Sequence, residues 1–268
     1  MDSGINIRTV AANGFSMDYF TFGNGDKTLV ILPGLSVDSV MKYAGSVADA
    51  YSPLAEQFTV YVFDRRKELP SAYSIYDMAR DTAAAFRALS LEDISLFGAS
   101  QGGMIAMVIA IENPGLVRRL IAGSTASSVG PAAERTISKW ISFAKDGNAE
   151  DLYLEFGKAI YPQPVFEQSK DLLKEISKSI TPEDLERFVI LAGSFAGFDI
   201  TEQIKDISCP VLVIGSHDDN VLGGSASEKI YDRLKERPDC KLHMYDGYGH
   251  AAYDLAPDYK EILLGFLT

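Results

Sequence analysis

Continuous runs of apolar residues alternate along this chain with stretches whose apolar residues recur every three or four positions. Continuous runs are typical of strands buried on both faces, and the wider spacing is typical of helices that cover such strands. We therefore predict an α/β fold with a mostly parallel central sheet flanked by helices. The predicted strands are 28–32, 59–63, 94–97, 116–122, 210–214 and 241–245.

An antiparallel pair is expected before these strands. Residues 5–11 and 15–22 flank Asn13 and Gly14, a dipeptide that favours the tight turn of a hairpin. Between the strands, Ser74 with Asp77 is typical of a helix start. The predicted helices are about 39–57, from 75 to about 89, 104–111, about 227–234 and 259–266.

Only helical spacing is found between about residues 125 and 206, where Thr181 and Pro182 mark one strong helix start. A helical block between two halves of a sheet is most simply an insertion that caps the strand ends. We predict a core of residues 1–124 and 207–268 and an all-helical cap of residues 125–206. The alternative is that this block is a second independent domain. We disfavour it because the segments before and after the block are both needed to complete one sheet.

Composition narrows the classes of partner. Apolar residues make up 47% of the 268 residues and charged residues 23%, as in ordinary globular domains. The 25 Lys and Arg against 37 Asp and Glu leave a formal charge of −12, which repels nucleic-acid phosphates and anionic lipid.

No apolar stretch approaches the ~20 residues that span a bilayer, and from the pattern of residues 1–6 we expect no leader. We expect a cytoplasmic protein with a small-molecule substrate and neither nucleic acid nor membrane as partner.

Groups that bind metals or form disulfides are sparse. Cys209 and Cys240 are too few for a disulfide framework and are expected to be reduced thiols. The three histidines form no Cys/His cluster, so no metal site is predicted.

Residues 98–102 read Gly-Ala-Ser-Gln-Gly and match the G-x-S-x-G pattern of a nucleophilic serine. A short pattern alone is weak, but this one follows the predicted strand 94–97 and precedes a predicted helix, as the motif requires. The serine would sit on a sharp bend where side chains two residues away would collide, so glycine is needed there. Ser100 is the predicted nucleophile.

A serine hydroxyl needs an adjacent base, itself oriented by an acid. His250 lies in a glycine-rich loop between the last strand and the last helix and is the predicted base. His243 lies within the strand 241–245 and His217 follows the strand 210–214, so structural roles are expected for both.

The acid should follow the strand 210–214, where Asp218 and Asp219 are adjacent. We favour Asp219, because the apolar Val221 would turn the loop back while the carboxylate points to the site. Asp218 is the alternative, and its other role would be to cap a turn.

The chain order Ser100, Asp219, His250 resembles that of α/β-hydrolase-fold enzymes, and the resemblance extends over essentially the whole length. It implies an oxyanion hole made by the backbone N–H groups of Leu35 and Gln101.

Two segments differ from the pattern of many relatives. Residues 33–34 read Pro-Gly where His-Gly is common, and residues 65–68 read Arg-Arg-Lys-Glu where Arg-Gly-x-Gly is common. Neither change removes a catalytic group, but both weaken assignment to a particular subfamily.

Aromatic residues are frequent in the predicted cap. Trp140, Phe143 and Phe188 are expected to bind substrate in an apolar pocket above Ser100, although helical spacing also suits the interior of the cap.

These observations favour a serine hydrolase that acts on a small, mostly apolar ester, thioester or related acyl compound and needs no cofactor. The resemblance also allows C–C bond hydrolysis, peptidase, haloperoxidase or lyase chemistry on the same fold. A non-catalytic binder of a small ligand and acyl transfer to an acceptor other than water are the other classes.

Overall fold

A computed structural model of the chain describes residues 5–268. Residues 1–4, part of the opening segment expected to carry no leader, lie outside this range. The described chain forms a single eight-stranded sheet covered by helices. Its strands are β1 (Ile7–Ala12), β2 (Phe15–Phe22), β3 (Lys27–Leu32), β4 (Phe58–Arg66), β5 (Ile94–Ala99), β6 (Val117–Gly123), β7 (Val211–Ser216) and β8 (Cys240–Tyr245).

The sheet order is β1-β2-β4-β3-β5-β6-β7-β8. All pairs among β3 to β8 are parallel, whereas β1 pairs with β2, and β2 with β4, in the antiparallel direction. The predicted α/β fold with a mostly parallel sheet is therefore confirmed. Because parallel strands end at the same edge, the loops after β3, β5, β7 and β8 meet there.

Helices cover both faces of the sheet. Alternate residues of β3 enter separate apolar layers: Val30 and Leu32 pack on one face, and Leu29 and Ile31 on the other. The first layer includes residues of the helices 75–88, 101–112 and 226–232, and the second includes residues of the helices 44–50 and 259–267. The helices are α1 (Ala44–Ala50), α2 (Ile75–Ala88), α3 (Gln101–Glu112), α4 (Pro131–Lys145), α5 (Ala149–Ile160), α6 (Gln163–Ser177), α7 (Pro182–Gly193), α8 (Ala226–Asp232), α9 (Ala252–Leu255) and α10 (Tyr259–Leu267).

The segment 125–206, called here the helical insertion, lies between β6 and β7 and contains α4 to α7. An isolated antiparallel bridge joins Ser128 to Asp199 near its two ends. The segment is thus helical, as the sequence predicts. Helical spacing indicates helices at 137–144, 152–160 and 185–189, and α6 is a further helix outside these stretches. Between residues 5 and 268, no helix combines the length and the apolarity that crossing a bilayer requires.

The single helix predicted over about 39–57 is wrong. This segment contains a short 3-10 turn, then α1, then a second 3-10 turn at Ser52–Leu54. Pro53 has no N–H for a helical hydrogen bond, and Tyr43 and Tyr51 adopt non-helical dihedral angles that separate the pieces. The helix after Ser100 begins at Gln101, directly after the serine, as the motif requires.

Candidate active site

Ser100 occupies the sharp turn between β5 and α3. Its backbone has φ 53° and ψ −121°, a conformation that a residue with a side chain rarely adopts. The turn is tight: a Cβ atom on Gly98 would lie 2.2 Å from the carbonyl oxygen of Gly102, and one on Gly102 would lie 2.0 Å from that of Leu32. Both flanking glycines of the motif are therefore required by backbone contacts.

Asp219 and His250 lie on the loops after β7 and β8 and meet in a direct hydrogen bond. His250 Nδ1 is 2.8 Å from Asp219 Oδ2, and both side chains are buried. The second carboxylate oxygen accepts from the backbone N–H groups of Val221 at 2.8 Å and Leu222 at 3.0 Å. With Nδ1 engaged as a donor to Asp219, Nε2 keeps a lone pair that can accept a proton.

The Asp219 carboxyl is held in its ionised form. Burial acts to raise its pKa, but the attraction and hydrogen bond of His250, together with the N–H groups of Leu222 and Val221, outweigh it. The pKa therefore lies below its ordinary value of 3.8. The group is a carboxylate at neutral pH.

Asp218, the alternative acid, points to a different task. Its carboxylate accepts from Ser216 Oγ at 2.7 Å and from the backbone N–H groups of Gly247 at 3.1 Å and Gly249 at 3.0 Å. It has no hydrogen bond with His250 among the described residues, and it ties the loop after β7 to the loop that carries His250. The structure thus brings Asp219, and not Asp218, to the imidazole.

The other two histidines have local partners. His217 is exposed and its Nδ1 lies 2.9 Å from Asp246 Oδ1. His243 lies in β8, where its ring packs edge-on against Tyr245 with centroids 4.5 Å apart. Neither lines the cavity that contains Ser100.

Ser100 and His250 line one small cavity of about 20 Å³, together with the Gly34 and Leu35 backbone segment. Within residues 5–268 no hydrogen bond joins Ser100 Oγ to the imidazole. Catalytic hydrogen bonds are often long or poorly aligned before substrate binds. The remaining wall is mostly apolar and consists of Trp140, Phe156, Ile160, Phe195, Val221 and Tyr253.

Two backbone N–H groups near this cavity are free to bind an anion. The loop after β3 passes directly beside the serine, because a Cβ on Gly34 would lie 3.1 Å from Ser100 Cβ. Within the described range, neither the N–H of Leu35 nor that of Gln101 donates a hydrogen bond to another residue. These are the two donors that the family resemblance implies.

Of the three aromatic residues expected at the pocket, only Trp140 lines the cavity. Phe188 is fully buried and packs behind Phe156, with ring centroids 6.1 Å apart. Phe143 lies on α4 with Trp140 but outside the cavity wall, beneath the ammonium group of Lys139. Helical periodicity could not separate these positions, because all three belong to the same apolar interior.

Trp140 also borders a second, larger pocket of about 810 Å³. That outer pocket lies between the helical insertion and the loops of Asp218 and Gly247. The indole therefore stands between the small cavity and the larger space outside it.

The two cysteine thiols are unsuited to act as nucleophiles at neutral pH. Cys209 and Cys240 are buried free thiols, and burial raises the pKa of both to about 11, so they are protonated at neutral pH. Across residues 5–268, no group of three or more His, Cys, Asp or Glu side chains is arranged to hold a metal ion.

A mostly parallel sheet of this order, with a serine on the strained turn after β5, defines the molecule as an α/β hydrolase. More closely, the chain belongs to the serine aminopeptidase S33 family, whose model, Hydrolase_4, matches residues 26–254.

Relatives with hydrolase names match most of the chain. A protein of Agrobacterium fabrum strain C58, named "Putative carbamate hydrolase RutD", is 26% identical over 230 residues, which cover 80% of this chain and 84% of that protein. A protein of the same name from Caulobacter vibrioides strain NA1000 is 24% identical over 229 residues, covering 80% and 82%.

Solved structures share the fold along nearly the whole chain. MGS-M2, an α/β hydrolase from a Medee basin deep-sea metagenome library, has a TM-score of 0.85 at 20% identity and covers 97% of each chain. The enol-lactonase of Burkholderia xenovorans LB400 has a TM-score of 0.82 at 16% identity, covering 97% of this chain and 99% of the enol-lactonase. At these identities the structural likeness shows the fold alone.

Proposed function

We propose that this α/β hydrolase is a serine hydrolase of small, mostly apolar esters, thioesters or related acyl compounds. Ser100 is the nucleophile, His250 the base and Asp219 the acid that orients the base. The observation that carries the proposal is the 2.8 Å hydrogen bond between His250 Nδ1 and Asp219 Oδ2, made beside the cavity that Ser100 shares with His250. An imidazole fixed in this way is a competent general base for the hydroxyl.

The reaction follows from these positions. Ser100 Oγ attacks the acyl carbon while its proton passes to His250 Nε2, and the carbonyl electron pair becomes an oxyanion that accepts from the N–H groups of Leu35 and Gln101. The intermediate then expels the leaving group, which takes the proton from His250. Water then attacks the acyl-enzyme while its proton passes to the same imidazole, and the new intermediate expels Ser100 Oγ, which takes that proton back from His250 as the acid is released.

The mostly apolar lining of the cavity supports an apolar acyl group. A volume of about 20 Å³ holds about one water molecule. Substrate entry therefore requires side chains of the helical insertion, such as Trp140 and Phe156, to move. On this basis we propose that residues 125–206 act as the cap of a core formed by residues 1–124 and 207–268.

The name of these relatives adds one substrate type to be tested. A carbamate carries the same electrophilic carbonyl as an ester, so the same three side chains could hydrolyse it. We therefore include carbamates beside esters, thioesters, amides and diketones.

Turnover of such a panel, with acyl chains of graded length, tests the proposal. The wild type should hydrolyse short-chain esters, and Ser100→Ala should lower kcat by about 10⁵- to 10⁶-fold. Ser124→Ala is the matched control, because Ser124 is also a buried serine at a strand end and its hydroxyl has no partner among the described residues. Turnover that survives Ser100→Ala would contradict the proposal, and the absence of any turnover would favour a non-catalytic binder.

A further inference from the structure

A buried arginine joins the two segments that carry the proposed oxyanion donors. Arg65, at the end of β4, is 4% exposed. Its Nη2 donates to the carbonyl oxygen of Pro33 at 2.8 Å and to the side-chain oxygen of Gln101 at 3.1 Å. Pro33 lies two residues before Leu35, and Gln101 is itself the second donor. One amino group therefore fixes both segments relative to each other.

The Gln101 side chain extends this connection to the helical insertion. It is fully buried, and its Nε2 donates to the carbonyl oxygen of Leu191 at 2.9 Å and to Ser194 Oγ at 3.1 Å. The amide thus faces a cation with its oxygen and a carbonyl with its nitrogen, as its chemistry requires. The position of Gln101 is set from both sides, by Arg65 and by α7.

Stability alone is a poor reason to bury this guanidinium. Burial lowers the pKa of Arg65 to about 10, although the group remains protonated at neutral pH. Its side chain forms no ion pair within residues 5–268, because the neighbouring Asp64 carboxylate binds Arg187 Nη2 at 2.6 Å instead. The Nε–H group of Arg65 also lacks a partner in this range. A buried charge without an ion pair costs free energy that a neutral donor would avoid.

We propose that Arg65 is a positioning residue that sets the spacing of the Leu35 and Gln101 N–H groups around the developing oxyanion. This inference rests on the proposed function. Oxyanion donors act only when they are held at the place where charge appears in the transition state. Arg65 should therefore affect stabilisation of the tetrahedral intermediate more than binding of the substrate.

Kinetics of Arg65→Met on p-nitrophenyl acetate, combined with inhibition by a small alkyl trifluoromethyl ketone, test this role. The ketone forms a tetrahedral adduct: Ser100 Oγ bonds to the carbonyl carbon, the hydroxyl proton moves to His250, and the carbonyl electron pair becomes an oxyanion. We expect kcat to fall about 10- to 100-fold, with KM little changed. This fall is smaller than the one expected when a whole oxyanion donor is removed. The inhibition constant of the ketone should rise by the same factor as kcat/KM falls.

Two further variants separate positioning from folding. Arg65→Lys keeps the charge but cannot reproduce the fixed fork of a guanidinium, so it should give an intermediate loss in kcat and carries the test if Arg65→Met does not fold. Arg66→Met is the matched control: Arg66 is the next residue and pairs with Asp81 at 3.2 Å, and its hydrogen bonds do not reach Pro33 or Gln101. Its kcat and ketone inhibition should match the wild type.

Active-site titration with a fluorophosphonate corrects every rate for the fraction of folded enzyme. Equal kcat and equal ketone inhibition in wild type and both Arg65 variants would overturn the inference and leave the proposed function intact. A raised KM with unchanged kcat would also overturn it. A wild type that neither hydrolyses the ester nor reacts with the fluorophosphonate would overturn the proposed function, and the inference with it.

Discussion

The imidazole of His250 and the carboxylate of Asp219 lie 31 residues apart in the chain and 2.8 Å apart in space. Their loops follow β8 and β7, which are neighbouring parallel strands, so the sheet itself delivers the two side chains to one point. The remaining carboxylate oxygen binds backbone N–H groups of its own loop, which fixes the direction of the contact.

Asp219→Asn should abolish most activity without unfolding the protein. An amide can donate as well as accept, so it no longer holds the imidazole in the tautomer that leaves Nε2 free. We expect kcat to fall about 10⁴-fold, as for the corresponding change in a serine protease. Asp218→Asn should cost far less in kcat, because Asp218 does not contact the imidazole. Equal losses in the two variants, measured as steady-state ester hydrolysis, would contradict this assignment.

Acid should weaken the folded state partly through Asp218. Burial acts to raise its pKa, but hydrogen bonds from Ser216, Gly249 and Gly247 outweigh it and keep the pKa below its ordinary value of 3.8. A carboxyl of this kind contributes stability that is present above about pH 4 and is lost as the pH falls through the folded-state pKa. The free energy of unfolding, measured in urea, should be larger for the wild type than for Asp218→Asn. This difference should be constant between about pH 8 and pH 5 and smaller near pH 3. A difference that stays constant into this acid range would contradict the role of the carboxylate.

Gly102→Ala should prevent the turn at Ser100 from forming. The new Cβ would meet backbone atoms of Leu32 and Pro33, which cannot move aside as a flexible side chain would. We expect a loss of more than about 4 kcal/mol in the free energy of unfolding. Gly265→Ala is the control, since Gly265 is also helical but has open space at its Cβ position. It should gain about 0.5–1 kcal/mol, and similar stabilities for the two variants would refute the steric argument.

Trp140→Ala should change which acyl chains are accepted. The indole separates the small cavity from the outer pocket, so its removal joins the two spaces. We expect the kcat/KM ratio of hexanoate to acetate p-nitrophenyl esters to rise about tenfold, at a cost of about 3–5 kcal/mol in stability. Phe143→Ala, on the same helix but outside the cavity wall, should leave the ratio unchanged. An unchanged ratio in Trp140→Ala would show that the indole is not the barrier.

Much of the fold could be predicted because its signals are local. The apolar runs of β3 and β5 indicate buried strands, and the motif at 98–102 combines with them to indicate the turn. The helix α6 was missed because most of its residues are polar or charged, and one of its leucines, Leu172, is 62% exposed. The strand β4 continues three residues beyond its predicted end to Arg66, because Arg66 pairs with Met17 of β2 and because Asp64 and Arg65 are buried against partners distant in sequence.

The same reason explains what the sequence analysis missed in the site. Arg65 lies in a charged run that differs from the family pattern, and nothing local indicates that its partners are Pro33 and Gln101. Tyr253 and Ile160 also line the cavity, although no sequence pattern indicates either of them as a pocket residue. The proposed catalytic residues follow recognisable strand ends, whereas the cavity walls depend on packing between distant segments.

Reaction with a fluorophosphonate, followed by peptide mass mapping, would show whether Ser100 is the activated nucleophile. The reagent reports on an activated serine without requiring the natural substrate to be known. We expect one adduct per chain, located on Ser100, absent in Ser100→Ala and formed much more slowly in His250→Gln. An adduct on another residue, or undiminished labelling of Ser100→Ala, would contradict it.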